Sequence, residues 1–277
     1  MKHPAAKYIR IYSDIHLDFD VPPKKFTFDM LWMPEILETD KDTILILAGD
    51  IWHASKPFAF YGQSWFKEIS KRFQYIIVTL GNHDFWDGNF PLTYNSFSDK
   101  LKEQELDNVF LLQNETILIG DLKFVGGTLW TDFDQGNTHA LYNAKTVMND
   151  YKYIRYGKAY GKLTPSILLN AHMETKNYIF SNAKRDYEDQ KVWVISHHAP
   201  SYKSMDSTYD KPDLALENSL YFSNLDKDIE NSEIDFWIHG HSHHAKNYMI
   251  GNTNVIANPR GYRTEETEYN PWILYTA

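Results

Sequence analysis

The chain contains no cysteine among its 277 residues. It therefore has no disulfide, no thiolate metal site and no cysteine nucleophile, and any metal it binds must be held by nitrogen and oxygen ligands. Such a ligand set favours manganese, iron or zinc at a catalytic site over a cysteine-type structural zinc.

Long apolar segments are also missing. The sequence has no run of the roughly 18 apolar residues that a membrane span needs, and its first residues, Met1–Tyr12, lack the apolar stretch of a signal peptide. We therefore expect no contact with a membrane and a cytoplasmic location.

Basic residues are outnumbered, with 28 Lys and Arg against 37 Asp and Glu and a formal net charge of −9. Because lysine and arginine drive non-specific binding to phosphates by displacing counterions, this balance argues against extended nucleic-acid binding. The sequence also lacks a Gly-x-x-x-x-Gly-Lys phosphate loop and a Gly-x-Ser-x-Gly nucleophile elbow. It carries no signal for an oligomeric state.

Side chains that bind metals follow five apolar runs that are typical of buried strands. The runs and the side chains after them are Tyr8–Tyr12 with Asp14 and His16, Thr43–Ala48 with Asp50, Tyr75–Leu80 with Asn82 and His83, Val192–Ile195 with His197 and His198, and Ile234–Ile238 with His239, His241 and His243. Since ligand sites in open α/β sheets lie beyond the carboxyl ends of strands, we expect these strand tips to form one site. The donors suffice for two divalent ions, for which Mn, Fe or Zn is expected.

The ordered motifs resemble those of the calcineurin-like metallophosphoesterase superfamily. They are Asp14-Ile15-His16, Gly49-Asp50, Gly81-Asn82-His83-Asp84, the strand-tip His197 and Gly240-His241-Ser242-His243, and together they span nearly the whole chain. The resemblance implies an α/β fold, a four-layer α/β/β/α sandwich of two mixed sheets flanked by helices, with the metal site at the C-terminal strand tips. It implies that Asp14, His16, Asp50 and His243 hold one metal and that Asp50, Asn82, His197 and His241 hold the other.

In that arrangement Asp50 bridges the two metals and His83 faces the substrate phosphate. Two cations about 3.5 to 4 Å apart can clamp a phosphoryl group and convert a bridging water to hydroxide near neutral pH. Attack by that hydroxide needs no protein nucleophile. The sequence therefore predicts a dinuclear metal-dependent hydrolase that acts on a small phosphomonoester or phosphodiester.

Two alternatives stay open at this point. A nuclease or a protein serine/threonine phosphatase would use the same site, although the acidic charge balance argues against the nuclease. A metal-binding scaffold without catalysis would predict lost ligands or a replaced His83, and neither is seen.

Other polar residues near the motifs are expected to support the site. We expect Asp84 to orient His83, and His198 and His239 to lie around the metal ligands. Arg260 is expected either to reach the phosphate or to pair with an acid. His53, three residues beyond Asp50, is expected to approach the substrate or to lie at the surface.

The whole chain, residues 1–277, is expected to form a single domain with a helical insertion at about residues 131–190. We expect this Tyr-, Asn- and Lys-rich insertion to lie beside the active face and to contact substrate, with surface or packing roles for its His139 and His172. Elsewhere, the sequence predicts a helix near Trp32–Glu38, a crossover helix over about residues 57–73 and a closing strand at Trp272–Tyr275.

Overall fold

The computed structural model describes residues 2–19, 31–53 and 61–277. Its strands are β1 (Lys2–His3), β2 (Tyr8–Tyr12), β3 (Thr43–Ala48), β4 (Tyr75–Thr79), β5 (Asn89–Phe90), β6 (Val109–Leu111), β7 (Glu115–Ile119), β8 (Leu122–Gly127), β9 (Arg155–Tyr156), β10 (Gly161–Lys162), β11 (Lys191–Ser196), β12 (Phe236–His239), β13 (Lys246–Ile250), β14 (Thr253–Ala257) and β15 (Tyr275–Thr276). Its helices are α1 (Tyr61–Arg72), α2 (Leu92–Glu103), α3 (Phe133–Gly136), α4 (Thr138–Val147), α5 (Asp150–Tyr153), α6 (Pro165–Asn182), α7 (Ala215–Asn218) and α8 (Asp226–Glu230).

A five-stranded sheet has the order β15-β2-β3-β4-β6. Its strands β2, β3, β4 and β6 are parallel, and β15 joins the edge antiparallel to β2. Every residue of β3 is buried, which explains why its sequence is a continuous apolar run without alternation.

A seven-stranded sheet has the order β1-β7-β8-β11-β12-β14-β13. Its centre is parallel, from β8 through β11 and β12 to β14. Antiparallel pairs stand on either side of this centre: β7 with β8, connected by a turn at Gly120-Asp121, and β13 with β14. Both sheets are therefore mixed.

Alternate side chains of each sheet point to opposite faces, so each sheet packs on two sides. Between the sheets, Ile46 and Ile77 meet Phe124 and Ile195 in one buried cluster. On the outer face of the five-stranded sheet, residues of β3 and β4 pack with Trp65, Phe66, Ile69, Phe97 and Leu101 of α1 and α2. On the outer face of the seven-stranded sheet, Val194 and Trp237 pack with side chains of α6 and α8. The predicted four-layer α/β/β/α sandwich is confirmed.

Residues 131–190, the predicted helical insertion, contain α3 to α6 together with β9 and β10. Strand β9 pairs with β5, so a small three-stranded sheet joins this segment to residues 89–90. His172 of α6 is buried and pairs through Nδ1 with the carbonyl of Leu129 at 3.2 Å, whereas His139 is exposed. Over the described part of the chain, no helix has both the length and the apolar character needed to cross a membrane.

Two local predictions differ from the structure. Residues 32–37 are not helical. Pro34 disfavours helical backbone at the residue before it, and the carbonyls of Pro34 and Glu35 accept hydrogen bonds from the Arg72 guanidinium at 2.7 Å. The closing strand is only Tyr275–Thr276. The crossover helix is α1, and the first residues predicted for it, 57–60, lie outside the described residues.

Candidate metal centre

The five strand tips converge at one end of the two sheets. Strands β2, β3 and β4 of the five-stranded sheet deliver Asp14, His16, Asp50, Asn82 and His83, and strands β11 and β12 of the seven-stranded sheet deliver His197, His241 and His243. The site therefore lies across the junction of the two sheets, and each sheet supplies part of it.

Three sets of side chains come close enough to hold an ion, with one potential ligand atom per residue and all such atoms of a set within 4.8 Å of one another. The sets are Asp14, His16 and His243; His16, Asp50 and His83; and Asp50, His197 and His241. Asp50 and His16 each belong to two of these sets, and Asp50 is the carboxylate that two sets share.

Distances within the cluster match groups that share a cation. His197 Nε2 lies 3.1 Å from Asn82 Oδ1 and 3.4 Å from Asp50 Oδ2. His243 Nε2 lies 3.4 Å from Asp14 Oδ1 and 3.1 Å from His16 Nε2. Lone pairs that point at one another across such gaps repel unless a proton or a metal lies between them.

The backbone at the ligand positions adopts left-handed conformations. Positive φ angles occur at Asp14 (50°), His16 (48°), Asp50 (54°), His241 (68°) and His243 (51°). Such conformations are costly for residues with a Cβ and concentrate at functional sites. Gly49 precedes Asp50 with φ 85°, and a Cβ there would lie 2.3 Å from His197 Nδ1, so only glycine lets the two sheets approach this closely.

Charge at the cluster is set by burial and by the pairs inside it. Burial raises the pKa of Asp50, but His197 and His83 outweigh it and hold that pKa well below its usual range. Burial lowers the pKa of His16 to about 4, so its imidazole is neutral. The buried Nε2 of His241 has no hydrogen-bond partner among the described residues. Burial lowers the pKa of His197, but Asp50 outweighs it and raises that pKa to about 9, and Asp14 does the same for His243. The anionic Asp50, the neutral His16 and the unpartnered ring nitrogen of His241 are donors that suit divalent transition metals.

Asp84, expected to orient His83, has a different environment. Its carboxylate accepts hydrogen bonds from the backbone N–H groups of Asp50 (2.9 Å), Ile51 (3.0 Å), Trp52 (3.0 Å) and Gly81 (2.7 Å). Burial and the nearby Asp50 carboxylate raise the pKa of Asp84 to about 7, against the opposing effect of these backbone donors. Asp84 therefore fixes the loops after β3 and β4 to each other and acts on their backbone, where the sequence suggested an action on the His83 ring.

His83 lies at the mouth of the cluster. Its ring stacks on Trp86 with centroids 3.6 Å apart, and its Nε2 lies 3.4 Å from the hydroxyl of Tyr262. Its backbone N–H donates to Asp50 Oδ1 at 2.9 Å. The imidazole thus lies beside the candidate metal ligands and lines the cavity next to them.

Three supporting residues take positions that the sequence did not specify. His239 pairs with the carbonyl of Gly240 at 2.9 Å and with Ser204 Oγ at 2.7 Å, so neither bond involves the side chain of a candidate ligand. His198 lies behind His241, with ring centroids 4.2 Å apart. Arg260 donates to the carbonyl of Ile15 at 2.6 Å, and it is not among the described residues that line the cavity beside the cluster.

His53, for which the sequence left two roles open, pairs with an acid at the edge of the site. Its Nε2 lies 2.8 Å from Asp18 Oδ2. It does not line the described cavity beside the metal cluster.

Sequence reasoning missed two carboxylates that contact candidate ligands. Glu265 Oε2 lies 2.6 Å from His243 Nδ1, on the side of the ring opposite the cluster. Asp150 Oδ1 accepts a hydrogen bond from the Asn82 amide at 2.9 Å. Both residues are far from the motifs in sequence, and no spacing pattern marks either one.

A cavity of about 590 Å³ opens from the metal cluster. Asp50, Asn82, His83, His241 and His243 form its floor. The described wall residues include aromatic, aliphatic and acidic side chains, namely Trp86, Val147, Met148, Asp150, Asp206, Tyr209, Leu214, Glu217, Tyr221, Phe222, Tyr262 and Glu265, and no described lining residue is lysine or arginine. Several of these walls come from the helical segment 131–190.

The sequence model of the calcineurin-like phosphoesterase family matches residues 8–245, which include all of the candidate ligands. The chain belongs to the calcineurin-like phosphoesterase family. Membership makes it a metal-dependent hydrolase of phosphoesters, the class of enzyme that the motifs predicted.

Relatives of this family member include one of similar length. An uncharacterised protein, L509, of Acanthamoeba polyphaga mimivirus is 27% identical over 281 residues, covering 96% of this chain and 95% of the viral protein.

Solved structures share the fold at lower identity. The phosphopantetheinyl hydrolase of Mycobacterium tuberculosis superimposes with a TM-score of 0.66 at 14% identity, over 99% of this chain and 96% of that one. A putative 5'-nucleotidase of Staphylococcus aureus gives a TM-score of 0.50 at 17% identity, over 92% of this chain and 49% of that one.

Proposed function

We propose that this phosphoesterase uses two divalent metal ions to hydrolyse a small phosphomonoester or phosphodiester. The observation that carries the proposal is the position of Asp50, whose carboxylate is shared by two sets of potential ligands. Asp14, His16, Asp50 and His243 would hold one ion, and Asp50, Asn82, His197 and His241 the other. Mn, Fe or Zn fits this nitrogen and oxygen donor set.

Two bound ions supply Lewis-acid activation of water and of the phosphoryl group. The chain itself contributes orientation and proton transfer. His83, which stacks on Trp86 and lies beside Tyr262, would donate a hydrogen bond to the phosphate or a proton to the leaving oxygen. Tyr262 stacks on His16, with centroids 4.4 Å apart, and so closes the outer side of this part of the site.

The cavity supports a small substrate. Its volume of about 590 Å³ lies within the range of small-molecule sites. Its described wall carries Asp206 and Glu217 and neither lysine nor arginine, which disfavours a substrate with many phosphates. The same feature argues against the nuclease alternative, since a nucleic-acid channel uses Lys and Arg to follow the backbone.

An assay with p-nitrophenyl phosphate and bis-p-nitrophenyl phosphate in Mn²⁺ tests this function. We expect Asp50→Asn and His83→Ala to lower kcat/KM by about 100-fold or more, because each removes a group that acts on the transition state. His139→Ala, which removes an exposed histidine of the same chain, is the control and should match the wild type. Wild-type turnover no faster than that of the two site variants would contradict the proposal.

A further inference from the structure

Asp150 is a buried carboxylate that the family motifs do not include. It begins α5 in the segment 131–190, and only 2% of its surface is exposed. In the described part of the chain it forms no ion pair with lysine or arginine. Burying a carboxylate without a cationic partner is costly, so its hydrogen bonds must serve some purpose at this place.

Both of its hydrogen bonds reach the candidate metal centre. Asp150 Oδ1 accepts from Asn82 Nδ2 at 2.9 Å and from the Trp86 indole N–H at 2.7 Å. One oxygen atom of the insertion therefore contacts the side chain proposed as a metal ligand and the aromatic ring on which His83 lies.

The bond to Asn82 determines which end of the amide faces the cluster. An asparagine side chain offers an oxygen acceptor at one end and an NH₂ donor at the other, and only the oxygen can coordinate a metal. A carboxylate oxygen can only receive the NH₂ end. With Asp150 behind it, Asn82 therefore presents Oδ1 toward His197, where the distance to Nε2 is 3.1 Å.

The bond to Trp86 acts on the other side of the site. The indole is held through its N–H, and its face carries the His83 ring at a centroid distance of 3.6 Å and an interplanar angle of 22°. Fixing the indole thus fixes the plane in which His83 meets the phosphate. Outer partners of this kind orient the groups that contact metal and substrate.

We propose that Asp150 is a positioning residue through which the helical insertion sets the Asn82 amide as a metal ligand and, through Trp86, the orientation of His83. The inference rests on the proposed function, because it takes Asn82 as a ligand. It adds to that function a dependence of the metal centre on the segment 131–190.

Calorimetric titration of the metal-free protein with Mn²⁺ tests the first part. The wild type should bind two ions. Asp150→Ala should lower the affinity for one of them by about 10- to 100-fold, the range found for outer partners of metal ligands, and should leave the affinity for the other unchanged. Asn82→Ala should lose the same ion, and the double variant should lose no more than Asn82→Ala alone. Asp150→Asn keeps an acceptor oxygen and should restore binding, and Asp134→Ala, which removes an exposed carboxylate of the same segment, is the control.

The hydrogen bond between Asp150 and Asn82 can also be tested in the metal-free protein. In ¹H–¹⁵N spectra without metal, the Asn82 side-chain NH₂ should exchange slowly in wild type and Asp150→Asn and fast in Asp150→Ala. Trp86→Phe should lower kcat without lowering the affinity for either Mn²⁺ ion. Unchanged Mn²⁺ binding and unchanged Asn82 exchange in a folded Asp150→Ala protein would overturn the inference. If the protein bound two ions tightly but hydrolysed no phosphoester, the proposed function would be overturned. Mn²⁺ binding and Asn82 NH₂ exchange would still test the role of Asp150 in that case.

Discussion

Asp84 holds together two loops of the site at the scale of a single residue. Four backbone N–H groups of the loops after β3 and β4 donate hydrogen bonds to its carboxylate, and Asp84 is 2% exposed. Without that carboxylate the four donors would be buried without partners, and the turns that carry Asp50 and Asn82 would lose their common support.

Replacing Asp84 by alanine should therefore lower the free energy of unfolding by at least about 3 kcal/mol, since a buried donor left unsatisfied costs about 1 to 3 kcal/mol. Urea unfolding of the protein in EDTA measures this without a contribution from bound metal. Asp99→Asn changes an exposed acid and serves as the control. A loss below about 1 kcal/mol would show that the loops do not depend on Asp84.

The candidate metal ligands could be predicted from sequence because they lie in motifs. The residues that form hydrogen bonds to those ligands could not. Asp14, Asp50 and His241 follow apolar runs, so their convergence was predictable from the strands before them. Glu265 and Asp150 contact ligands only through the tertiary fold, at separations of 22 and 68 residues in sequence. The left-handed backbone of the ligands leaves no mark in the sequence beyond the tolerance of Asp and His for that region.

At the scale of elements, α6 buries a titratable side chain against the seven-stranded sheet. Burial lowers the pKa of His172 to about 4, whereas a histidine in the unfolded chain titrates near 6.5. Between these values the unfolded state binds the extra proton. Stability therefore falls as pH drops through this window and is regained as pH rises toward 7.

Lowering the pH from 7 to 5 should cost the wild type on the order of 2 kcal/mol through His172 alone. His172→Gln cannot take up the proton, so its free energy of unfolding should fall by about 2 kcal/mol less than that of the wild type over the same pH interval. Unfolding by urea at both pH values in EDTA gives the difference, with the exposed His139→Gln as control. An equal pH dependence in wild type and His172→Gln would contradict the buried, neutral state of this ring.

Elements were predictable where their local pattern agreed with their environment. Strand β3 follows from its continuous apolar run and is confirmed. The helix expected at Trp32–Glu38 was wrong because the carbonyls of that segment bond to Arg72, a contact between distant parts of the chain. Propensity is a weak guide where such tertiary bonds are available.

At the scale of the whole molecule, the junction of the two sheets creates the site. Two of the three sets of potential ligands draw on both sheets: the histidines after β11 and β12 face the carboxylates after β2 and β3 across the junction. The four-layer order and the family were predictable because the motifs follow one another along nearly the whole chain. The single domain over residues 1–277, the cytoplasmic location and the identity of the metals stay predictions.

Anomalous diffraction from crystals of the protein grown with Mn²⁺ would show directly whether two ions share Asp50. We expect two manganese peaks per chain about 3.5 to 4 Å apart, with the Asp50 carboxylate between them and Asn82 Oδ1 directed at one peak. A single peak, or two peaks that do not share Asp50, would contradict this expectation.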